Sequence, residues 1–511
     1  MNAPMPLETS LPNWLVRAAE NQPDHLAIQC GSTHWSFAEL LHQTEQLAYQ
    51  LATPGIGKGT RVALLAANDL PFVVVVHALM RLGAILVPLN VRLTQAELAW
   101  QLEDVQATFL CSDARYGETA SQLARELPRL TFLSLISDAQ QNVGIADQPL
   151  VPAIALSGSL NLNDIQSIMY TSGTTGHPKG VLITYGMLCW GAIGSALTLE
   201  HHADDCWLAC LPLFHVGGLT ILMRSVINGI SVNLHEKAAP EGINRAIIED
   251  GVTIISVVAV ILQRMLDDLD KHEHGARYPA TLRCVLLGGG PAPRPLLERC
   301  AARGIPVVQT YGLTESCAQA ATLLPGDALR KLGSAGRPLF PVQLRIFDEH
   351  QQPVALGQPG VIHLQGPTIT PGYDHRPEVT ERAFHNGWFS TGDLGYLDEE
   401  GYLYVLDRRS DLIISGGENV YPAEIESVLL SHSEVQEAGV CGSDDARWGQ
   451  VPIAFVRLRT GSTTGSDELL TYATRFLARY KVPQAIYIVP EIPRNSAGKL
   501  LRRELARLIP R

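Results

Sequence analysis

The stretch Tyr170-Thr171-Ser172-Gly173-Thr174-Thr175-Gly176-His177-Pro178-Lys179-Gly180 includes the end of a short apolar run, Ile168 to Tyr170, that reads as a β-strand. Gly173 and Gly176 let the backbone turn so that successive N–H groups converge on an anion. The hydroxyls of Thr171, Ser172, Thr174 and Thr175 and the ammonium of Lys179 add donors suited to the oxygens of a triphosphate. A flexible Ser/Thr/Gly linker has a similar composition. The ordered Pro178-Lys179-Gly180 ending and the preceding strand argue against that reading. GxxxxGK[ST] is absent and no helix opens on the lysine, so this is not a Walker A loop.

Short β-type runs alternate with helical segments on both sides of this loop, which indicates α/β layering. Upstream lie Val62 to Ala66, a helix over Pro71 to Leu82, Ala84 to Val87, and Phe109 to Cys111. A further helix starts at Thr94, with Glu97 three residues on as a capping box. Downstream come Val232 to Leu234, Thr253 to Val257, Arg283 to Leu287 and Pro306 to Gln309. From about Gly333 to Leu406 short strands punctuated by Gly, Pro and Asp read as a β-rich subdomain. After Asp407-Arg408-Arg409-Ser410 the chain restarts with a small α+β pattern. The expected division is a large α/β domain over residues 1–409 and a small mobile α+β domain over residues 410–511.

At 511 residues the chain exceeds one compact core, and 46% apolar with 18% charged residues is globular composition. A formal charge of −12 disfavours a nonspecific grip on nucleic acid or an anionic membrane, so an anionic ligand must meet local donors. Nine scattered cysteines, of which Cys206 and Cys210 are the closest pair, form no zinc pattern and fit reduced thiols in a cytoplasm. Met1 to Asn13 has no basic cap followed by an apolar run, so a signal peptide is not expected. The apolar stretch Leu70 to Leu89 is broken by His77, Arg81 and Gly83, which reads as a buried helix and strand and not as a membrane insertion.

Four further segments carry candidate chemistry. In Gln309-Thr310-Tyr311-Gly312-Leu313-Thr314-Glu315, just past a strand, Tyr311 can stack on a purine and Glu315 can give an oxygen to Mg2+ bridging phosphates. In Ser390-Thr391-Gly392-Asp393 the acid in a Gly-flanked turn can accept both ribose hydroxyls, although such a turn alone is commonly structural. Pro493-Arg494-Asn495-Ser496-Ala497-Gly498-Lys499 places a lysine at a loop tip, and Ser415-Gly416-Gly417-Glu418-Asn419 leaves a channel without side chains or a tight turn. The small-residue strip Gly288-Gly289-Gly290 and the Phe214-His215 turn suit a flat aromatic acid.

In this order and over nearly the whole chain, these segments resemble the acyl-adenylate-forming superfamily of acyl-CoA synthetases, peptide-synthetase adenylation domains and luciferases. The resemblance implies ATP, coenzyme A and Mg2+ as cofactors and a small carboxylate as substrate. It makes the loop of residues 171–179 the triphosphate holder and Thr314 and Glu315 part of the catalytic turn. It assigns Asp393 and Arg408 to ribose, Lys499 to adenylation, Ser410 to the hinge, and Gly416 and Gly417 to the CoA channel.

Leu208 to Gly229, Leu286 to Pro293, Leu332 to Gly336 and Ser427 to His432 look most like the o-succinylbenzoate:CoA ligases of menaquinone and phylloquinone biosynthesis. That likeness sets His215 at the aryl pocket and Arg224 against a second carboxylate. A half-buried, satisfied histidine and a helix-surface ion pair are the bland alternatives for these two residues. Competing functions are a ligase for another aryl or medium-chain acid, an adenylation enzyme serving a carrier protein, and a nucleotide-binding protein without turnover. Lys179, Glu315, Asp393, Arg408 and Lys499 together disfavour the last. Association into a homo-oligomer is left open.

Overall fold

A computed structural model describes residues 9–137, 142–149, 154–171, 178–271, 277–290, 292–408, 411–415, 418–445, 448–477, 479–494 and 500–509. Leu70–Leu82, the helix read from the apolar stretch, is buried at every residue. It is apolar on all sides because it lies within the layers, packed against Phe37–Ala52, and not on their surface. Its ends follow from local chemistry: the Asp69 carboxylate accepts from the Leu70 N–H, Pro71 stands in the first turn, and Gly83 closes the helix at φ 65°. Arg81 in its last turn pairs with Glu45 at 2.7 Å. Among the described residues no helix is long and apolar enough to cross a membrane.

His77 sits in the middle of this helix, 2% exposed, with no partner for Nδ1 among the described residues. Burial alone pushes its pKa down to about 4 from 6.5. The unfolded chain therefore takes up this proton first as the pH falls. Neutral His77 costs no stability above pH 6.5, and as the pH falls from 6.5 to 4 stability is lost, by about 3 kcal/mol in total at the acid end. His77→Leu is expected to flatten the fall in thermal midpoint across that window, and an unchanged slope would place the acid sensitivity elsewhere.

Two sheets carry the amino-terminal part. A seven-stranded sheet runs in the order Lys179–Thr184, Ile165–Thr171, Ile85–Pro88, Arg61–Leu65, Phe109–Ser112, Thr131–Ser137, Val143–Ile145. The helix Gln95–Asp104, which links Ile85–Pro88 to Phe109–Ser112, opens with the expected capping box, Thr94 N–H donating to Glu97 at 2.8 Å. The second sheet holds six adjacent strands, Leu26–Cys30, Ser231–Leu234, Cys206–Ala209, Ile254–Val258, Cys284–Gly288 and Val307–Tyr311, all paired in parallel. The β-rich subdomain continues this sheet: Ala321–Leu323 pairs antiparallel with Val307–Tyr311, and the ladder runs on through Ser334–Pro338, Leu403–Arg408, Trp388–Leu397, Gly360–Gln365 and Gln343–Phe347. From Ile413 onward the strands belong to a separate five-stranded sheet, with Pro422–Leu430 and Ser466–Thr474 among its helices.

Candidate active site

The triphosphate-type loop joins two antiparallel strands whose last described pair is Thr171 opposite Lys179. Ser172, Gly173, Thr174, Thr175 and Gly176 lie outside the described residues. Lys179 opens a strand and not a helix, so its ammonium is delivered by hairpin geometry and the fixed register with Thr171. Its Nζ stands 5.4 Å from the centroid of the Tyr373 ring, within cation–π range.

The Tyr373 hydroxyl donates to Glu315 Oε1 at 3.0 Å. Glu315 lies with Thr314 in the short 3-10 turn Thr314–Ser316, directly after the strand Val307–Tyr311. Gly312 makes that turn possible, because a Cβ there would stand 2.0 Å from the Ala318 carbonyl oxygen. The turn is closed by the Leu313 N–H donating to Ser316 Oγ at 3.0 Å, and the Glu315 carbonyl accepts from the Thr370 N–H at 2.8 Å. Tyr311 donates its hydroxyl to Asp393 Oδ2 at 2.7 Å, which orients a buried carboxylate from another strand.

Asp393 is not in a turn, as the local sequence led us to expect. It lies within the ten-residue strand Trp388–Leu397. Val361 pairs with Leu394 and His363 with Ser390, so Thr391, Gly392 and Asp393 together face the single residue Ile362. Gly392 takes φ 74° in this bulge. Bulges re-aim side chains next to sites, which is what a ribose acceptor needs. Asp393 is also the register partner of Arg408, the last residue of Leu403–Arg408, whose side chain lies outside the described residues. Ser410, Gly416, Gly417 and Lys499 lie outside them as well.

Gly288 ends the strand Cys284–Gly288, and Gly289 follows at φ 80° with room for a Cβ only 3.1 Å from Val258 Cγ1. A Cβ on Gly290 would meet nothing within 4 Å. Val258, Gly288 and Tyr311 thus mark the carboxyl ends of three neighbouring parallel strands, the edge at which open α/β sheets bind ligands.

His215 is the N-cap of the helix Val216–Asn228 and is half-buried, its ring 4.6 Å from that of Phe214. Burial, with Arg92 adding to it, pushes its pKa down to about 4, so the ring is neutral at physiological pH. Arg224 on the same helix is not the surface ion pair that its sequence context allows. It is 2% exposed, lies over Trp207 at 5.0 Å, and donates from Nη2 to Gln319 Oε1 at 2.7 Å. Among the described residues it has no carboxylate partner, and Arg224 Nε, Gln319 Nε2 and Thr220 Oγ1 are buried without hydrogen-bond partners. Burial lowers the Arg224 pKa to about 10, which still leaves a full positive charge at pH 7.

Three participants escaped sequence reasoning. Tyr373 stands in Pro371-Gly372-Tyr373-Asp374, whose turn residues flag a loop but not a contact with Glu315. Gln319 and Trp207 carry no local signal, because their relevance comes only from touching Arg224.

The family described as "AMP-binding enzyme" matches residues 15–374, and its "AMP-binding enzyme C-terminal domain" matches residues 424–499. The chain is 51% identical to a 2-succinylbenzoate–CoA ligase of Geobacillus kaustophilus, over 98% of this chain and 99% of that one. Among solved structures it is similar to o-succinylbenzoate CoA synthetase (MenE) from Bacillus subtilis in complex with the acyl-adenylate intermediate OSB-AMP. That match has a TM-score of 0.89 and 41% identity, over 97% of this chain and 98% of that one. The same enzyme in complex with ATP and magnesium ion gives a TM-score of 0.89 and 41% identity, over 97% of this chain and 100% of that one. The chain belongs to the AMP-binding enzyme family.

Proposed function

We propose that this chain is an AMP-forming acid–thiol ligase that joins 2-succinylbenzoate (o-succinylbenzoate) to coenzyme A through an acyl-adenylate, with release of AMP and pyrophosphate. The observation that carries the reading is identity at 51% of positions with a ligase of that name over essentially both full lengths. The buried Arg224, a cation held by neutral side chains, agrees with a substrate that brings a second carboxylate.

In this reading Thr171, the loop through Gly176 and Lys179 hold the triphosphate. Tyr311 and Gly289 to Gly290 flank the adenosine, and Asp393 with Arg408 takes the ribose hydroxyls. Gly288 and the neutral His215 border the aromatic ring. Glu315 offers one oriented carboxylate, and the described residues contain no cluster of three or more acidic, His or Cys ligands. That suits Mg2+, which takes one or two carboxylates and fills its octahedron with phosphate oxygens and water. When bound, the ion neutralises charge on the phosphates. Thr314 and Glu315 orient the acid end of the site, and Lys499 stabilises charge on the α-phosphate oxygens as the substrate carboxylate attacks. The adenylate then meets the CoA thiol along Gly416 and Gly417, after the domain of residues 410–511 turns about Ser410. The nine thiols are unpaired and eight are buried, which fits a reducing compartment, and we place the reaction in the cytoplasm.

Pyrophosphate release over a panel of carboxylates, with and without CoA, tests the assignment. The expected result is the highest kcat/KM for 2-succinylbenzoate and thioester formed only when CoA is present. Faster turnover of benzoate or of a fatty acid would overturn the substrate.

A further inference from the structure

Tyr373 belongs neither to the strand that carries Lys179 nor to the turn that carries Glu315, yet it touches both groups. Its hydroxyl donates to Glu315 Oε1 at 3.0 Å, and its ring lies beneath the Lys179 ammonium at 5.4 Å. The loop that carries it is tied down on both sides. The Thr370 N–H donates to the Glu315 carbonyl at 2.8 Å, the Leu182 N–H to the Gly372 carbonyl at 3.1 Å, and the Asp374 N–H to the Gly180 carbonyl at 2.8 Å. The Tyr373 N–H itself donates to Thr380 Oγ1 at 3.0 Å. Asp374, next in the chain, forms a two-pronged pair with Arg61 of the seven-stranded sheet, each contact 2.9 Å. A phenol held this firmly has little freedom to leave either partner.

We propose that Tyr373 is a positioning residue for the metal–nucleotide site: it fixes the Glu315 carboxylate through its hydroxyl and the Lys179 ammonium through its ring. The proposal rests on the reading of Glu315 and Lys179 given above. A cation over the ring face draws electron density from the phenol and makes its O–H a better donor, so the two contacts reinforce each other. The hydroxyl serves the acidic partner and the ring serves the basic one, and two substitutions separate these jobs.

Tyr373→Phe keeps the ring under Lys179 and deletes only the donor. It is expected to raise the Mg2+ concentration for half-maximal pyrophosphate release by about tenfold, the worth of a hydrogen bond to a charged group. The KM for ATP at saturating Mg2+ stays within about twofold of the parent, because the ring remains under Lys179. Calorimetry with α,β-methylene-ATP, which cannot release pyrophosphate, gives a readout independent of turnover. Affinity falls in the Mg2+ arm, run below saturating Mg2+, and is unchanged in the EDTA arm. Tyr373→Leu, which also removes the ring, loses about threefold in the EDTA arm as well. Glu315→Gln serves as the control. If it shifts the Mg2+ dependence and Tyr373→Phe does not, Tyr373 is not a positioning residue. If Glu315→Gln shifts nothing, the reading of Glu315 as the metal ligand fails, and the inference with it. A Tyr373→Phe variant that loses affinity equally in both arms, with a lowered thermal midpoint, would show a structural role only and overturn the proposal.

Discussion

Replacing Lys499 by alanine is expected to lower pyrophosphate release by about 10²–10³-fold, the cost of removing one charge-stabilising donor from a developing oxyanion. Thioester formation from supplied acyl-adenylate and CoA is expected to survive. The asymmetry follows from crowding. In the proposed reading a lysine at the α-phosphate would leave little room for the pantetheine arm, so one placement would not serve both half-reactions. The described residues on either side of Lys499, Arg494 and Arg502, are tied to the domain of the five-stranded sheet. Arg494 pairs with Glu437 at 2.9 Å and Arg502 with Glu426 at 2.9 Å, and both glutamates are 8% exposed in the five-stranded sheet's domain. Arg494 and Leu500 also form a β-bridge. In the proposed reading Lys499 travels with that domain, and a turn about Ser410 exchanges what faces the adenylate. Ser410→Pro, which fixes one backbone torsion, is expected to impair overall turnover more than ATP binding. Equal loss of both half-reactions in a folded Lys499→Ala enzyme would favour a single fixed site over the rotating one.

The sequence was most informative where chemistry is local. The capping box at Thr94 and Glu97, the buried helix over Pro71 to Leu82, and the strands read at Arg283 to Leu287 and Pro306 to Gln309 each rest on residues a few positions apart, and each stands within two residues of where the pattern put it. Asp393 was read correctly as an acid beside a glycine but given the wrong backbone. A bulge and a turn use the same Gly392, and only the partner strand Gly360–Gln365 distinguishes them. The continuity of the β-rich subdomain with the parallel sheet was likewise invisible, because it depends on Ala321–Leu323 pairing with Val307–Tyr311 across an irregular connection. Contacts such as Tyr373 with Glu315, 58 positions apart, leave no mark on either residue's neighbours in sequence.

The same limit applies to Arg224, whose sequence context permits a surface ion pair but whose surroundings do not. A guanidinium that is 2% exposed and met only by Gln319 and the Trp207 ring has lost its water without gaining a counter-charge among the described residues. Its depressed pKa, about 10, records that cost. In the proposed reading the second carboxylate of the substrate supplies the missing anion. Arg224→Met, of similar length, removes the unpaired charge and is therefore expected to leave the thermal midpoint equal or higher. Its effect on recognition is large and selective. Losing a buried charge-assisted contact costs about 2–5 kcal/mol, so KM for 2-succinylbenzoate should rise roughly 10²-fold. For the two monoacids made by deleting either carboxylate from that skeleton, the better one should change by less than about threefold, because it has no second charge to lose. The diagnostic is the ratio of kcat/KM for the diacid to kcat/KM for that monoacid, which should collapse towards one in the variant. A ratio that stays at the parent value, with the protein folded, would mean that the second carboxylate is recognised elsewhere. Arg224 would then be a buried scaffold cation held by Gln319 and Trp207.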